Sequence, residues 1–199
     1  MKKFLVVVLF ALAFYLYDHS RHVTLGPGVS AAEPPLQRVI DSPVTFEFET
    51  YNLSPLARFE LKAKVLSKEN YYLGREADLS PTDLALGWGT MSDESILEQI
   101  DISQSGRFYR WRVDSFPIPR KDIETQSANM HLIPADTLVR DAISRVRKGD
   151  LIEMSGYLVN VVSNDGSWYW KSSLTRNDTG GGACELVFVE SLAIVTANY

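Results

Sequence analysis

Cysteine is almost absent from this chain: among 199 residues there is one, Cys184. A disulfide within the chain is excluded, and so is a zinc site built on paired cysteines. Stability must come from a hydrophobic core, which a chain of this length can build. Histidine is nearly as scarce, with only His19, His22 and His131. No HExxH, paired-histidine or EF-hand spacing occurs, so no metal and no cofactor is expected. The phosphate-binding pattern GxxxxGK[ST] is missing too, and no helix signal follows the glycine-rich stretch TRNDTGGGA over residues 175–183. Basic residues are outnumbered, 20 Lys+Arg against 25 Asp+Glu, and the net charge is −5. The first 32 residues carry +2 of their own through Lys2, Lys3 and Arg21 against Asp18, which leaves −7 for the rest. A body of that sign lacks the clustered base that neutralises phosphates, so nucleic acid is not an expected partner.

A long apolar run is also missing. The longest, Phe4–Tyr17, has fourteen residues behind a basic start. As a helix it covers about 21 Å of a hydrocarbon layer roughly 30 Å thick. Tyr15 and Tyr17 are placed to lengthen it at an interface. We read residues 1–22 as a signal-anchor with the membrane as partner through residues 4–17. That makes a single-pass protein with its C-terminal domain outside the cytoplasm. The alternative is a secreted or periplasmic form cleaved near Ala31, where Val29-Ser30-Ala31 has the small-residue pattern. Residues 23–40, rich in Gly, Pro and Ala, are read as a linker, and 41–199 as a single domain.

What is present is mostly strand. Val44–Thr50 and Arg58–Val65 alternate apolar with polar, and Asn52-Leu53-Ser54-Pro55 is the expected turn between them. Ser80-Pro81-Thr82-Asp83 has the form of a helix start, and residues 80–100 are expected as a short helical insertion. Gly106–Val113 reads as a strand, with Tyr109, Trp111 and Val113 on one face. Asn129–Pro134 reads as a short strand or edge. Residues 136–148 are expected as a packing helix, N-capped by Asp136 and stopped by Gly149. Lys148–Val195 carries three apolar runs separated by turn residues, and the last is apolar on both alternating sets, which predicts a central strand. The fold class is mainly β (α+β). It is either a small OB-like, partly open barrel or a twisted antiparallel sheet packed by helices.

The runs YYLGREADLSPTDLALGWGTMSD, SGRFYRWRV, SANMHLIPAD and SSLTRNDTGGGACELVFVESL resemble an uncharacterised group of bacterial envelope proteins. The resemblance implies an exported or anchored domain and supplies no activity or site residue.

Three sets of residues carry candidate chemistry. Cys184 with His131 is the nucleophile set, since a reactive thiolate needs a base or an electropositive partner. Its plainer reading is a small residue opening a core strand. Glu76, Asp78, Asp83, Glu153 and Glu185 are the acids from which a carboxylate pair for sugar cleavage would be drawn. The other set is an aromatic–arginine binding face of Arg110, Trp111, Trp168, Trp170 and Arg176, where rings stack on a glycan or peptide. The main expectation is a non-catalytic, membrane-tethered module binding an envelope protein or glycan. The alternative is an envelope enzyme using Cys184/His131 or a carboxylate pair.

Overall fold

The computed structural model describes residues 22–175 and 184–195, together with Phe10, Leu12, Ala13 and Tyr17. Its strands are β1 (Leu36–Val39), β2 (Phe46–Phe48), β3 (Tyr51–Asn70), β4 (Thr82–Gly87), β5 (Asp101–Ser105), β6 (Phe108–Arg112), β7 (Ser127–Pro134), β8 (Leu151–Ser163), β9 (Tyr169–Trp170) and β10 (Glu185–Val195). The helices are α1 (Arg75–Leu79), α2 (Glu94–Leu97), α3 (Arg120–Thr125) and α4 (Thr137–Arg145), with a 3-10 turn at Gly89–Ser92. Eight strands make one sheet in the order β1-β3-β4-β7-β10-β8-β9, with β2 and β8 also paired to β3. β5 and β6 form a separate hairpin. Within the large sheet only β7 and β10 run parallel, so the sheet is twisted and mixed.

Among the described residues no true closed barrel is found; the sheet turns at β3. That strand pairs β8 along Tyr51–Lys64 and β4 along Lys64–Asn70, so its two long partners share only Lys64. Opposite β8, the far edge of β3 is taken by the short strands β1 and β2. A bulge between Val65 and Ser67 marks the bend where β3 passes from one neighbour to the other. Before it, Leu53, Ala57, Phe59, Leu61 and Ala63 are buried on one face; at Val65 and Leu66 both faces are buried.

Two sequence expectations fail for the same reason. Ser80-Pro81-Thr82-Asp83 does not start a helix: α1 ends at Leu79, and Thr82–Gly87 is a fully buried strand between β3 and β7. The run TDLALG is apolar enough for cover on both faces, and pairing on both edges outweighs the local capping pattern. Likewise the turn before β3 falls at Glu49–Thr50, with Glu49 at φ 55, and Asn52–Pro55 lies inside the strand. The helical insertion expected over 80–100 shrinks to the 3-10 turn and α2, which Asp93 N-caps. β7 is central, not an edge.

α4 keeps its expected cap, Asp136 Oδ1 accepting from Val139 N at 2.8 Å, but ends at Arg145. Its terminal carbonyls are satisfied from the sheet. Lys68 Nζ donates to the carbonyls of Ile143, Ser144 and Val146 at 2.9–3.0 Å. A cation at a helix C-terminus is favourable, and here it comes from β3 instead of the basic tail of the helix.

The N-terminal expectations change most. Among the described residues no helix is long and apolar enough to cross a membrane. This corrects the tether: the membrane as partner, the single-pass topology and the membrane-tethered binding module are not supported. Fourteen apolar residues fall short of a bilayer's thickness. Most of residues 4–17 lies outside the described residues. The start of the expected linker is a strap bound to the body. Leu25 N and Gly26 N donate to the two carboxylate oxygens of Glu94, Val23 N donates to Lys148 O, and Ala31 is 2% exposed. Gly149, at φ 88, lets the strap pass: a Cβ there would lie 1.8 Å from Val23 O.

Candidate active site: a cysteine, a histidine and an aspartate

β4 and β7 are antiparallel neighbours, and their register sets Asp83 opposite His131 and Ala85 opposite Asn129. β7 and β10 are parallel neighbours, with Met130 opposite Glu185, so Cys184 enters β10 beside this stretch of β7. Two inter-strand registers thus gather an acid, an imidazole and a thiol whose numbers are far apart.

Asp83 is completely buried and His131 is 4% exposed. Asp83 Oδ2 stands 2.9 Å from His131 Nδ1, and Asp83 Oδ1 accepts from Arg107 Nη1 at 2.7 Å. Nδ1 is the ring nitrogen that faces the carboxylate, and Cys184 is close enough to the imidazole to act on its charge. Burial pushes the His131 pKa down, but the hydrogen bonds and charges of Asp83 and Cys184 outweigh it and raise it to about 9. The imidazole is therefore held as a cation at neutral pH. Cys184 itself is half-buried.

The thiol has two further polar neighbours. Asn129 Nδ2 lies 3.7 Å from Cys184 Sγ while also donating to Arg107 O at 3.1 Å. Asn129 Oδ1 accepts from Gln104 Nε2 at 2.6 Å, which fixes the amide's orientation. Arg107 O accepts from Cys184 Sγ at 3.8 Å. The Trp170 ring covers His131 at 4.8 Å between centroids, and Trp168 packs edge-on against Trp170.

The sequence-predicted residues separate accordingly. Cys184 and His131 are brought together. Asp83 joins them, and Glu76 stands at the rim, 3.9 Å from Arg107 Nε. Glu185 is buried on β10, Glu153 faces solvent beside Lys62, and Asp78 is exposed on α1. The expected aromatic–arginine face is divided. Trp168 and Trp170 pack with Leu53, Val161 and Phe188, whereas Trp111 packs under the β5–β6 hairpin against Phe116 and the core around Ile123. Arg110 is exposed on β6 and bonds Ser105, and Arg176 lies outside the described residues. Arg107 and Asn129 were not singled out from sequence. The cue for Arg107 is the Gly106-Arg107 pair, which forms a turn and does not begin the strand. Among the described residues no group of three or more His, Cys, Asp or Glu is arranged to hold a metal ion.

Comparison with protein-family models, with curated proteins and with solved structures finds no match. The class the site defines is an α+β protein with a Cys–His–Asp constellation on adjoining strands.

Proposed function

We propose that the chain is a cysteine-nucleophile enzyme, with Cys184 as nucleophile, His131 as acid and base, and Asp83 as the group that orients and charges His131. The observation that carries this is the Asp83–His131 contact in a buried setting, with Cys184 close enough to act on the same imidazole. The order nucleophile, base, orienting acid is the general arrangement for activating a weak nucleophile. The reaction class it fits is acyl transfer. With the proton on His131, the Cys184 sulfur attacks an acyl carbon and the carbonyl electron pair moves to oxygen. Asn129 Nδ2, beside the sulfur, is placed to donate to that oxygen. Collapse expels the leaving group, which takes the proton from His131, and leaves a thioester on Cys184. Neutral His131 then deprotonates a water, whose oxygen displaces the sulfur and releases the acid.

The fold we propose to underlie it is a partly open, OB-like wrap. Support comes from the succession β3, β4, β7, β10, β8 and from α4 between β7 and β8. In that architecture the faces and loops around the second and third strands are the usual ligand side, and here those strands are β4 and β7.

The test is direct. Native protein given p-nitrophenyl acetate should release about one equivalent of p-nitrophenol in a burst, with acetyl found by mass spectrometry on the Cys184 peptide. Cys184→Ala abolishes the burst, and His131→Gln reduces it at least about tenfold. A Cys184 that is modified only after denaturation overturns the proposal.

A further inference from the structure

Arg107 sits at the tip of the β5–β6 hairpin, between Ser105 and Phe108, which face each other across the turn. Its φ is +70, and Gly106 before it has φ +58. Gly106 adopts that conformation freely; a residue with a side chain does so at a cost of about 1 kcal/mol or more. The position therefore favours glycine twice in succession, and the second glycine is not there.

The arginine side chain and backbone are both engaged by the candidate site. Nη1 donates to Asp83 Oδ1 at 2.7 Å, leaving Oδ2 for His131. The guanidinium lies over the Tyr71 ring at 3.8 Å and 5.4 Å from the Trp170 ring centre, the ring that covers His131. Arg107 N donates to Tyr71 Oη at 3.0 Å. Its carbonyl accepts from Asn129 Nδ2 and from Cys184 Sγ. One hairpin residue thus touches the acid, the amide and the thiol, and reaches the imidazole through the acid.

We infer that Arg107 is the positioning residue of this site: docking of the hairpin tip holds Asp83 Oδ1 on Arg107 Nη1, so that Oδ2 is turned to His131 and the imidazole is set beside Cys184. The inference rests on the nucleophile reading above. The guanidinium is suited to the task because it is itself held in direction, with Nη1 on Asp83, Nε 3.9 Å from Glu76 Oε2 and its plane over Tyr71, which a compact ammonium would not be. The charged and titratable groups facing His131 and its acid are Asp83 from β4, Cys184 from the start of β10 and Arg107 from the hairpin, with Tyr71 and Glu76 beyond Arg107. Removing Arg107 takes a cation away from this group, so the imidazolium becomes easier to keep while its direction is lost.

Arg107→Gly is the informative variant, because glycine suits φ +70 and the hairpin is retained. Iodoacetamide modification of Cys184 is followed in the native full chain from pH 5 to pH 10, with thermal unfolding measured alongside. In Arg107→Gly we expect the plateau rate to fall about tenfold, the alkaline inflection set by His131 to move to higher pH, and the melting temperature to fall with the native fold retained, because buried Asp83 loses one partner while the turn is relieved of strain. Arg107→Lys restores the inflection, which depends on charge, but not the plateau, which depends on the guanidinium's direction. A wild-type rate and inflection in Arg107→Gly would refute the positioning role while leaving Cys184 as nucleophile. Wild-type protein that reacts no faster than the unfolded chain would refute the nucleophile reading itself. Should Arg107→Gly fail to fold, Asp83→Glu in the Arg107-containing chain is the second test. It keeps the charge and shifts the carboxylate, and an unchanged plateau there overturns the inference.

Discussion

Two buried ion pairs lie against the same sheet, and they are built to opposite specifications. Under the strap, Glu94 Oε1 lies 2.8 Å from Lys64 Nζ and also accepts from Leu25 N at 3.0 Å, while Oε2 accepts from Gly26 N. Both carboxylate oxygens are occupied by donors that belong to the chain's own framework. At the other site Asp83 divides its oxygens between a cation from a strained turn and an imidazole that leads on to a thiol. Burial is similar: Lys64 is 2% and His131 4% exposed. The difference lies in what each acid faces. The first closes on itself and fastens the N-terminal strap; the second passes its charge to a group able to react. Burial of a charge pair does not by itself mark a functional site; the identity of the last partner does.

The comparison breaks most visibly at Glu94. Glu94→Ala leaves Lys64 buried without its counter-charge and is expected to cost about 3–5 kcal/mol in urea unfolding, with the strap at residues 22–31 becoming open to limited proteolysis. Cys184 modification in the folded fraction should be unchanged. The double change Lys64→Met with Glu94→Leu should recover most of the loss, since two apolar side chains of similar volume need no pairing. A Glu94→Ala protein of wild-type stability would mean that the strap is fastened by something else.

Asp83→Asn should give a smaller stability loss, about 2–3 kcal/mol, because the amide keeps an acceptor for Arg107 or His131 but not the charge. Its larger effect is chemical: the native-state excess in Cys184 alkylation should disappear. Stability lost with reactivity retained would make the two ion pairs equivalent, and the contrast between them would go.

Acid and base should also strike the two pairs at opposite ends of the pH scale. Burial raises the Glu94 pKa, but Lys64 and the strap amides outweigh it and hold the carboxyl below its ordinary value. Its contribution is therefore complete above the ordinary glutamate range and lost as pH falls through the lowered value. His131 is raised from 6.5 to about 9, so its contribution is complete below about 6.5 and lost as pH climbs through about 9. Urea midpoints measured across the range should fall on both limbs. Glu94→Gln should flatten the acid limb and His131→Gln the alkaline one; if either variant flattens the opposite limb, these assignments of charge are wrong.

The two regions also differ in how far they could be seen in the sequence. β10 was legible because its apolar residues occupy both alternating sets, β8 because it is an apolar run bounded by turn residues, and α4 because Asp136, its apolar stripe and Gly149 agree. Cys184 with His131 could be named as a pair on residue type alone. Asp83 could not be joined to them, since it sat in a segment read as the first turn of a helix, and only the β4–β7 register brings it opposite His131. Arg107 was hidden by reading Gly106 as the first residue of a strand. The strap is the opposite case: its Gly and Pro correctly signal irregular backbone, but nothing local tells that Glu94, some seventy positions on, takes its amide protons. Register and docking are decided by pairs of segments, and a pattern read along one segment holds only half of each.

The smallest effect expected is at the residue on which the chemistry turns. Cys184 is half-buried at the entry to β10, and its sulfur makes only long contacts, 3.7 Å to Asn129 Nδ2 and 3.8 Å to Arg107 O. Cys184→Ala removes one sulfur atom and should change unfolding stability by less than about 1 kcal/mol, whereas Glu94→Ala, which touches no reactive group, should cost several times as much. The loss of the Cys184 side chain should also lower the His131 pKa toward its ordinary range, moving the alkaline limb of stability to lower pH, and NMR titration of the imidazole would follow this directly. A Cys184→Ala protein destabilised as strongly as Glu94→Ala would place the cysteine among the packing residues of β10, where its environment serves the fold and the imidazole beside it serves Asp83 alone.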